Sequence, residues 1–170
     1  MQAADQAATQ LPLATLVLAD HGEALEQSTR WHARNLSEEL LHIPLILRAP
    51  GVGAGKSTGL VSSIDVAASI LALTQTPVPD WMQGRDLSTA GGERGPIFSD
   101  TWLPAAGISL TAAYDGQSKL VYSHGSKTYA ATSQLDVPSP EDHPALRRAI
   151  DRYLSENELN FSDLVLTPSR

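Results

Sequence analysis

The sequence predicts a layered α/β fold, and three observations carry that prediction. Leu13-Ala-Thr-Leu-Val-Leu-Ala19 and Ile43-Pro-Leu-Ile-Leu-Arg48 are continuous apolar runs bounded by turn residues, the texture of strands covered on both faces in a mostly parallel sheet. Between and after them Leu36–Leu41 and Ile64–Leu73 carry apolar residues at helical spacing, so strands alternate with helices. Beyond Thr89-Ala-Gly-Gly-Glu-Arg-Gly95 the pattern shifts to short strand-like segments separated by glycine turns.

Each element has its own local reason. Pro12 and Asp20-His21-Gly22 delimit the first strand. Asn35 with acids at Glu38 and Glu39 reads as a capped helix start, and that helix must stop before Pro44. Ala49-Pro50-Gly51-Val52-Gly53-Ala54-Gly55 is a loop. Ile64, Ala68 and Leu71 share a helix face that Thr76-Pro77-Val78-Pro79 terminates. Pro96–Asp100, Ser109–Tyr114 and Lys119–Tyr122 read as strands, with Asp115-Gly116 as a hairpin turn. Ser139-Pro140-Glu141-Asp142 opens a closing helix with Leu146, Ile150 and Leu154 on one face. Two parts are expected, residues 1–90 as a core and residues 91–170 as a small antiparallel sheet with its C-terminal helix.

Composition removes several function classes. Among 170 residues, 42% are hydrophobic and 18% charged, ordinary globular values. Twelve Lys+Arg against nineteen Asp+Glu give a net charge of −7, which repels a phosphate backbone, so no nucleic-acid partner is expected. Zero cysteines remove disulfides, thiolate metal ligands and any nucleophile made from cysteine within these residues. No apolar run reaches the ~20 residues of a membrane span.

Two motifs compete for the chemistry. Gly51-Val-Gly-Ala-Gly55-Lys56-Ser57-Thr58 looks like a phosphate-binding loop. However, the position that opens such a loop is Pro50, which lacks an N–H and has a fixed φ, and Gly59 interrupts the helix that should follow. A solvent-exposed turn accounts for it better. The second motif is Asp20-His21-Gly22-Glu23 at the end of the first strand. A carboxylate beside an imidazole offers oxygen and nitrogen donors to a divalent cation, and Gly22 permits a sharp turn. On those two side chains alone a plain strand-to-loop turn is the simpler reading.

The surrounding segments weigh on the other side. Thr15-Leu-Val-Leu-Ala-Asp-His-Gly-Glu23, Trp31-His32, Leu36-Ser-Glu-Glu-Leu-Leu-His-Ile-Pro-Leu-Ile-Leu-Arg-Ala-Pro-Gly51, Gly59-Leu-Val-Ser-Ser-Ile-Asp-Val-Ala67 and Met82-Gln-Gly-Arg85 occur in the order found in the C-terminal half of sulfatases. Over residues 13–87 the chain resembles that family, which lies in the alkaline-phosphatase superfamily. The likeness extends more weakly to Ser109–Gly116 and Lys119–Tyr122, whereas Tyr129-Ala-Ala-Thr-Ser-Gln-Leu-Asp136 departs from the family's usual acidic segment.

The resemblance implies a partial alkaline-phosphatase-like layered core and a metal-dependent hydrolase of sulfate esters. The alternatives are a phosphate or phosphonate monoester hydrolase of the same superfamily, or a non-catalytic binding module. It implies Asp20 and His21 as metal ligands, with Ca²⁺ as the expected ion and Mn²⁺ or Zn²⁺ as alternatives. His32 falls where the family has the histidine that contacts the sulfuryl oxygens and leaving group, although Ala33 and Ser37 replace the usual neighbours. Arg34, or Arg30, is a further anion-binding candidate. Glu23 reads as a supporting residue, His42 as a packed helix-end residue, and His124 and His143 as surface residues; Trp31 and Trp102 wall a cleft or simply pack.

The family's nucleophile, a formylglycine made in a Cys/Ser-x-Pro-x-Arg segment, has no counterpart here. The one Pro-x-Arg, Pro168-Ser-Arg170, follows Leu166 at the required position. The expectation is therefore the C-terminal piece of a larger hydrolase, from a truncated reading frame or a split enzyme, inactive alone. Its partners would be a small sulfated or phosphorylated substrate and the missing N-terminal half.

Overall fold

The structure is a computed structural model describing residues 12–25, 34–89, 94–130 and 143–157. The elements run β1 (Thr15–Leu18), α1 (Glu38–Leu41), β2 (Leu45–Arg48), α2 (Asp65–Leu73), β3 (Ile97–Leu103), β4 (Ile108–Tyr114), β5 (Lys119–Ser123), β6 (Thr128–Ala130) and α3 (Pro144–Glu156). The chain forms two compact units, one of residues up to Asp20 with Ile43–Arg94, the other of His21–His42 with Gly95–Arg170.

In the first unit β1 and β2 form a two-stranded antiparallel sheet, with Leu16 opposite Leu47 and Val17 opposite Ile46. The mostly parallel sheet that the sequence predicts is not found among the described residues, where every ladder is antiparallel. Apolar content reports how much of a strand wants cover, not which way its neighbour runs. Direction is set by the connection, and here β2 returns alongside β1. Nor is the cover complete, for Val17 is 46% exposed and Ile46 58%.

Helix α2 is tied to its surroundings by polar groups more than by its apolar stripe. The Asp65 carboxylate is fully buried and accepts the backbone N–H groups of Ser62 at 2.8 Å and Arg85 at 2.9 Å, and it pairs with the Arg94 guanidinium. The Ser69 hydroxyl donates to the Asp65 carbonyl at 2.7 Å and accepts the Leu87 N–H at 2.9 Å. A buried carboxylate is tolerable only when its lone pairs are filled in this way. Close approach is required as well: a Cβ on Gly84 would stand 2.1 Å from the Ile64 carbonyl oxygen.

The second unit is a four-stranded antiparallel meander, β3-β4-β5-β6. Alternation sends Ala113 and Leu120 to one face, where Leu146 and Ile150 of α3 close the core with Phe98, Tyr122, Tyr129 and Leu154. Ala112 and Val121 point to the other face, against Leu36, Leu41 and Leu110. The expected Asp115-Gly116 hairpin is present. Asp115 Oδ1 accepts the N–H groups of Gln117 and Ser118 at 2.9 and 2.8 Å, and Gly116 takes a φ of +98°. Helix α1 begins at Glu38, later than the sequence indicates, because Asn35 Oδ1 accepts the Ser37 N–H in a local turn instead of capping the helix. Of the closing helix, α3 itself is described, whereas Ser139–Asp142 lie outside the described residues. β6 was not anticipated.

Candidate functional site

The candidate site is built on two short stretches, the residues following β1 and those leading into α1. Asp20 is exposed and stands two residues beyond the end of β1 in the first unit; His21 opens the second unit and is also exposed. His21 Nδ1 lies 2.7 Å from the Gly22 carbonyl oxygen. A carbonyl can only accept, so Nδ1 is the donor in this contact, and in the neutral imidazole that leaves the lone pair on Nε2. Glu23 is exposed.

The loop is fastened one residue further on. The Gly22 N–H donates to the Leu40 carbonyl of α1 at 2.8 Å. Helix α1 is in turn held by Leu36, only 3% exposed and packed on Ala112 and Val121, and by Lys119 of β5. The Lys119 ammonium donates to the Leu36 carbonyl at 2.8 Å and to Glu38 Oε1 at 2.6 Å. The His21 loop and the segment Arg34–Leu41 are thus joined to one another and to the C-terminal sheet. Arg34 is exposed at the start of that segment. His32, with Arg30 and Trp31, lies outside the described residues.

Carboxylate and imidazole are appropriate donors, yet among the described residues no group of three or more His, Asp or Glu side chains is placed to hold a metal. Ca²⁺ takes ~6–8 oxygens, so these residues alone do not make a cage.

Other candidates resolve differently. Residues Gly51–Thr58 form no helix. Gly51 takes a φ of +79°, Val52 N–H closes a turn on the Ala49 carbonyl at 3.2 Å, and Gly53 and Gly55 stand in open space. This is the exposed turn the sequence favoured. His42 is exposed, not packed, because α1 ends before its side chain can turn inward. Trp102 is 36% exposed.

His124 is more than a surface residue. Its Nε2 lies 2.9 Å from the Thr111 hydroxyl, which bonds Asp100 Oδ1 at 2.5 Å, while Tyr153 donates to Asp100 Oδ2 at 2.7 Å. Burial pushes the His124 pKa down, with the Asp100 carboxylate opposing that shift, and burial with the Asp100 hydrogen bond pushes Tyr153 up. Tyr122 meets the imidazole edge-on at 5.1 Å. Sequence reasoning missed this network and Lys119. The one available signal was register: Asp100 lies opposite Thr111 and Thr111 opposite Tyr122 once the meander is drawn.

Comparisons with known proteins converge on one family. The sulfatase family profile matches residues 3–76. The chain is also similar to arylsulfatase K of Homo sapiens and of Canis lupus familiaris, each 28% identical over 76 residues, which cover 44% of this chain and 14% of the relative. Among solved structures the fold is similar to a Bacteroides thetaiotaomicron protein described as a sulfatase (TM-score 0.71, 14% identity) and to a 2-O GAG sulfatase (TM-score 0.72, 13% identity). In both, 89% of this chain aligns with 38% of the other. The chain therefore spans well under half the length of the relatives it matches. At those identities the structural likeness establishes the fold alone.

Proposed function

We propose that this chain, sulfatase-like in sequence and fold, contributes part of the active site of a metal-dependent sulfate ester hydrolase. The observation that carries the reading is the hydrogen bond that joins the two site stretches: Gly22, next to His21, is bonded to Leu40 of α1, and in sequence α1 lies a few residues beyond His32 and Arg34. A metal-ligand loop and an anion-binding segment belong together in this chemistry.

The residues divide the work by type. Asp20 and His21 would supply two donors to a divalent cation, Ca²⁺, with the remaining donors coming from elsewhere. A bound cation would draw charge from the sulfuryl oxygens. Arg34 holds a non-bridging oxygen with fixed charge and a planar set of donors. His32 donates a proton to the leaving oxygen, where negative charge develops as the ester bond breaks, and an imidazolium can do this near neutral pH. Neither residue is a nucleophile. These 170 residues contain no cysteine and no Cys/Ser-x-Pro-x-Arg segment, so a second polypeptide segment bearing the nucleophile is the proposed partner and a small sulfate ester the proposed substrate.

The test is complementation. The chain alone is expected to leave an aryl sulfate unhydrolysed. Combined with a polypeptide carrying a sulfatase nucleophile segment and with Ca²⁺, it should release sulfate, and Asp20→Ala or His32→Ala should each abolish that release. A complement that binds the chain yet hydrolyses an aryl phosphate and not the sulfate would overturn the sulfatase reading.

A further inference from the structure

We infer that Lys119 is a positioning residue of the anion-binding segment, so that the C-terminal sheet takes part in the site. The inference rests on the anion-site reading above and adds the residue that holds that site in place. Three observations combine. The Lys119 side chain is only 9% exposed although it carries a charge, and it is the one described lysine whose ammonium reaches both a backbone carbonyl and a carboxylate, Leu36 and Glu38. Burying an ammonium is costly unless its protons are taken up, and here they are taken up at the segment that carries Arg34. The two acceptors differ in kind: Glu38 is 58% exposed and shares its charge with water, whereas the Leu36 carbonyl belongs to a residue almost wholly buried on the sheet.

The consequence is directional. Lys119 projects from β5 of the sheet and fixes the backbone just ahead of α1. That backbone leads to Arg34 on one side and, through the Leu40 carbonyl and Gly22, to the His21 loop on the other. Without the ammonium, Leu36 can still pack by its side chain, but the chain direction at residues 34–36 loses its polar anchor. Lys119 touches no substrate in this scheme; it acts through Arg34. Because Glu38 is mostly solvated, its contribution to the clamp is minor, and the Leu36 carbonyl is the acceptor that matters.

Inorganic sulfate is the probe, titrated into the full chain and followed by NMR at the Arg34 side-chain Nε–H and at backbone amides of residues 34–42. The wild-type chain should show saturable shifts centred on Arg34. Lys119→Met should raise the sulfate Kd at least fivefold, Lys119→Arg should restore it to within twofold, and Glu38→Gln should change it by less than twofold. In all three the resonances of Ala113 and Ile150 should keep their native positions. A Lys119→Met chain with native core resonances and an unchanged Kd overturns the positioning role while leaving the anion site intact. The absence of any sulfate-dependent shift in the wild-type chain overturns the anion-site reading itself. Should Lys119→Met not fold, Lys119→Gln carries the same comparison, with an unchanged Kd again overturning the inference.

Discussion

A Cβ on Gly22 would stand 1.8 Å from the carbonyl oxygen of Glu39. That distance is far inside van der Waals contact, so the loop after β1 lies against the backbone of α1 at a point where no side chain fits. Glycine is required here for space: Gly22 shows no positive φ. Gly22→Ala must therefore lift the loop off α1 and break the Gly22–Leu40 hydrogen bond. The expected cost is about 1–3 kcal/mol, the range for forced overpacking, read from urea unfolding at constant pH. A loss below about 0.5 kcal/mol, typical of surface substitutions, would mean the loop does not dock on the helix.

The buried Asp65 carboxylate makes a second forecast. Its acceptors satisfy two backbone N–H groups and the Arg94 guanidinium, whose side chain is 12% exposed. Asp65→Ala strands all three donors. Breaking a buried pair from one side costs about 3–5 kcal/mol, because the remaining charge stays desolvated. Amide hydrogen exchange across Ala68–Leu73 should accelerate accordingly. Unchanged exchange in the variant would show that α2 is held by apolar packing alone.

How much of this was legible beforehand follows from what each signal encodes. The Asp115-Gly116 hairpin, the α2 span and the apolar face Leu146, Ile150 and Leu154 are local patterns, and the structure carries all three. The antiparallel pairing of Leu16 with Leu47 is not local, since two apolar runs look alike whichever way they run. Asp20 and His21 stood out because their chemistry is compact in sequence. Lys119 and Leu36 are 83 residues apart, and nothing in either neighbourhood announces the other. The partnership of His124, Thr111 and Asp100 was hidden for the same reason: it exists only after strand register is fixed.

Ile150 tests whether α3 is integral to the second unit. It is fully buried and packs with Leu146, Ala113 and Leu120. Ile150→Ala removes three carbons from a site closed by a sheet on one side, where little can collapse into the gap, so a loss of about 2–5 kcal/mol is expected in denaturant unfolding. A smaller loss with unchanged protection in β4 and β5 would mean that α3 unfolds separately from the sheet.

His124 gives the second unit a pH dependence of definite sign. Burial favours the neutral imidazole over the charged one, and the Asp100 carboxylate offsets this only in part, leaving the folded-state pKa below its ordinary value of ~6.5. The native chain then binds fewer protons at His124 than the unfolded chain does. Its contribution to stability is complete above the unfolded pKa and declines as pH falls through that value toward the lower folded one. His124→Gln keeps a side-chain N–H donor for the Thr111 hydroxyl and removes the titration. The measurement is the urea midpoint between about pH 8 and about pH 5 for both chains. The wild-type midpoint should fall more steeply on acidification than that of the glutamine variant, the difference opening near the ordinary histidine pKa. Parallel midpoints across the range would place His124 outside the proton balance of unfolding, and a steeper fall in the variant would reverse the sign argued here.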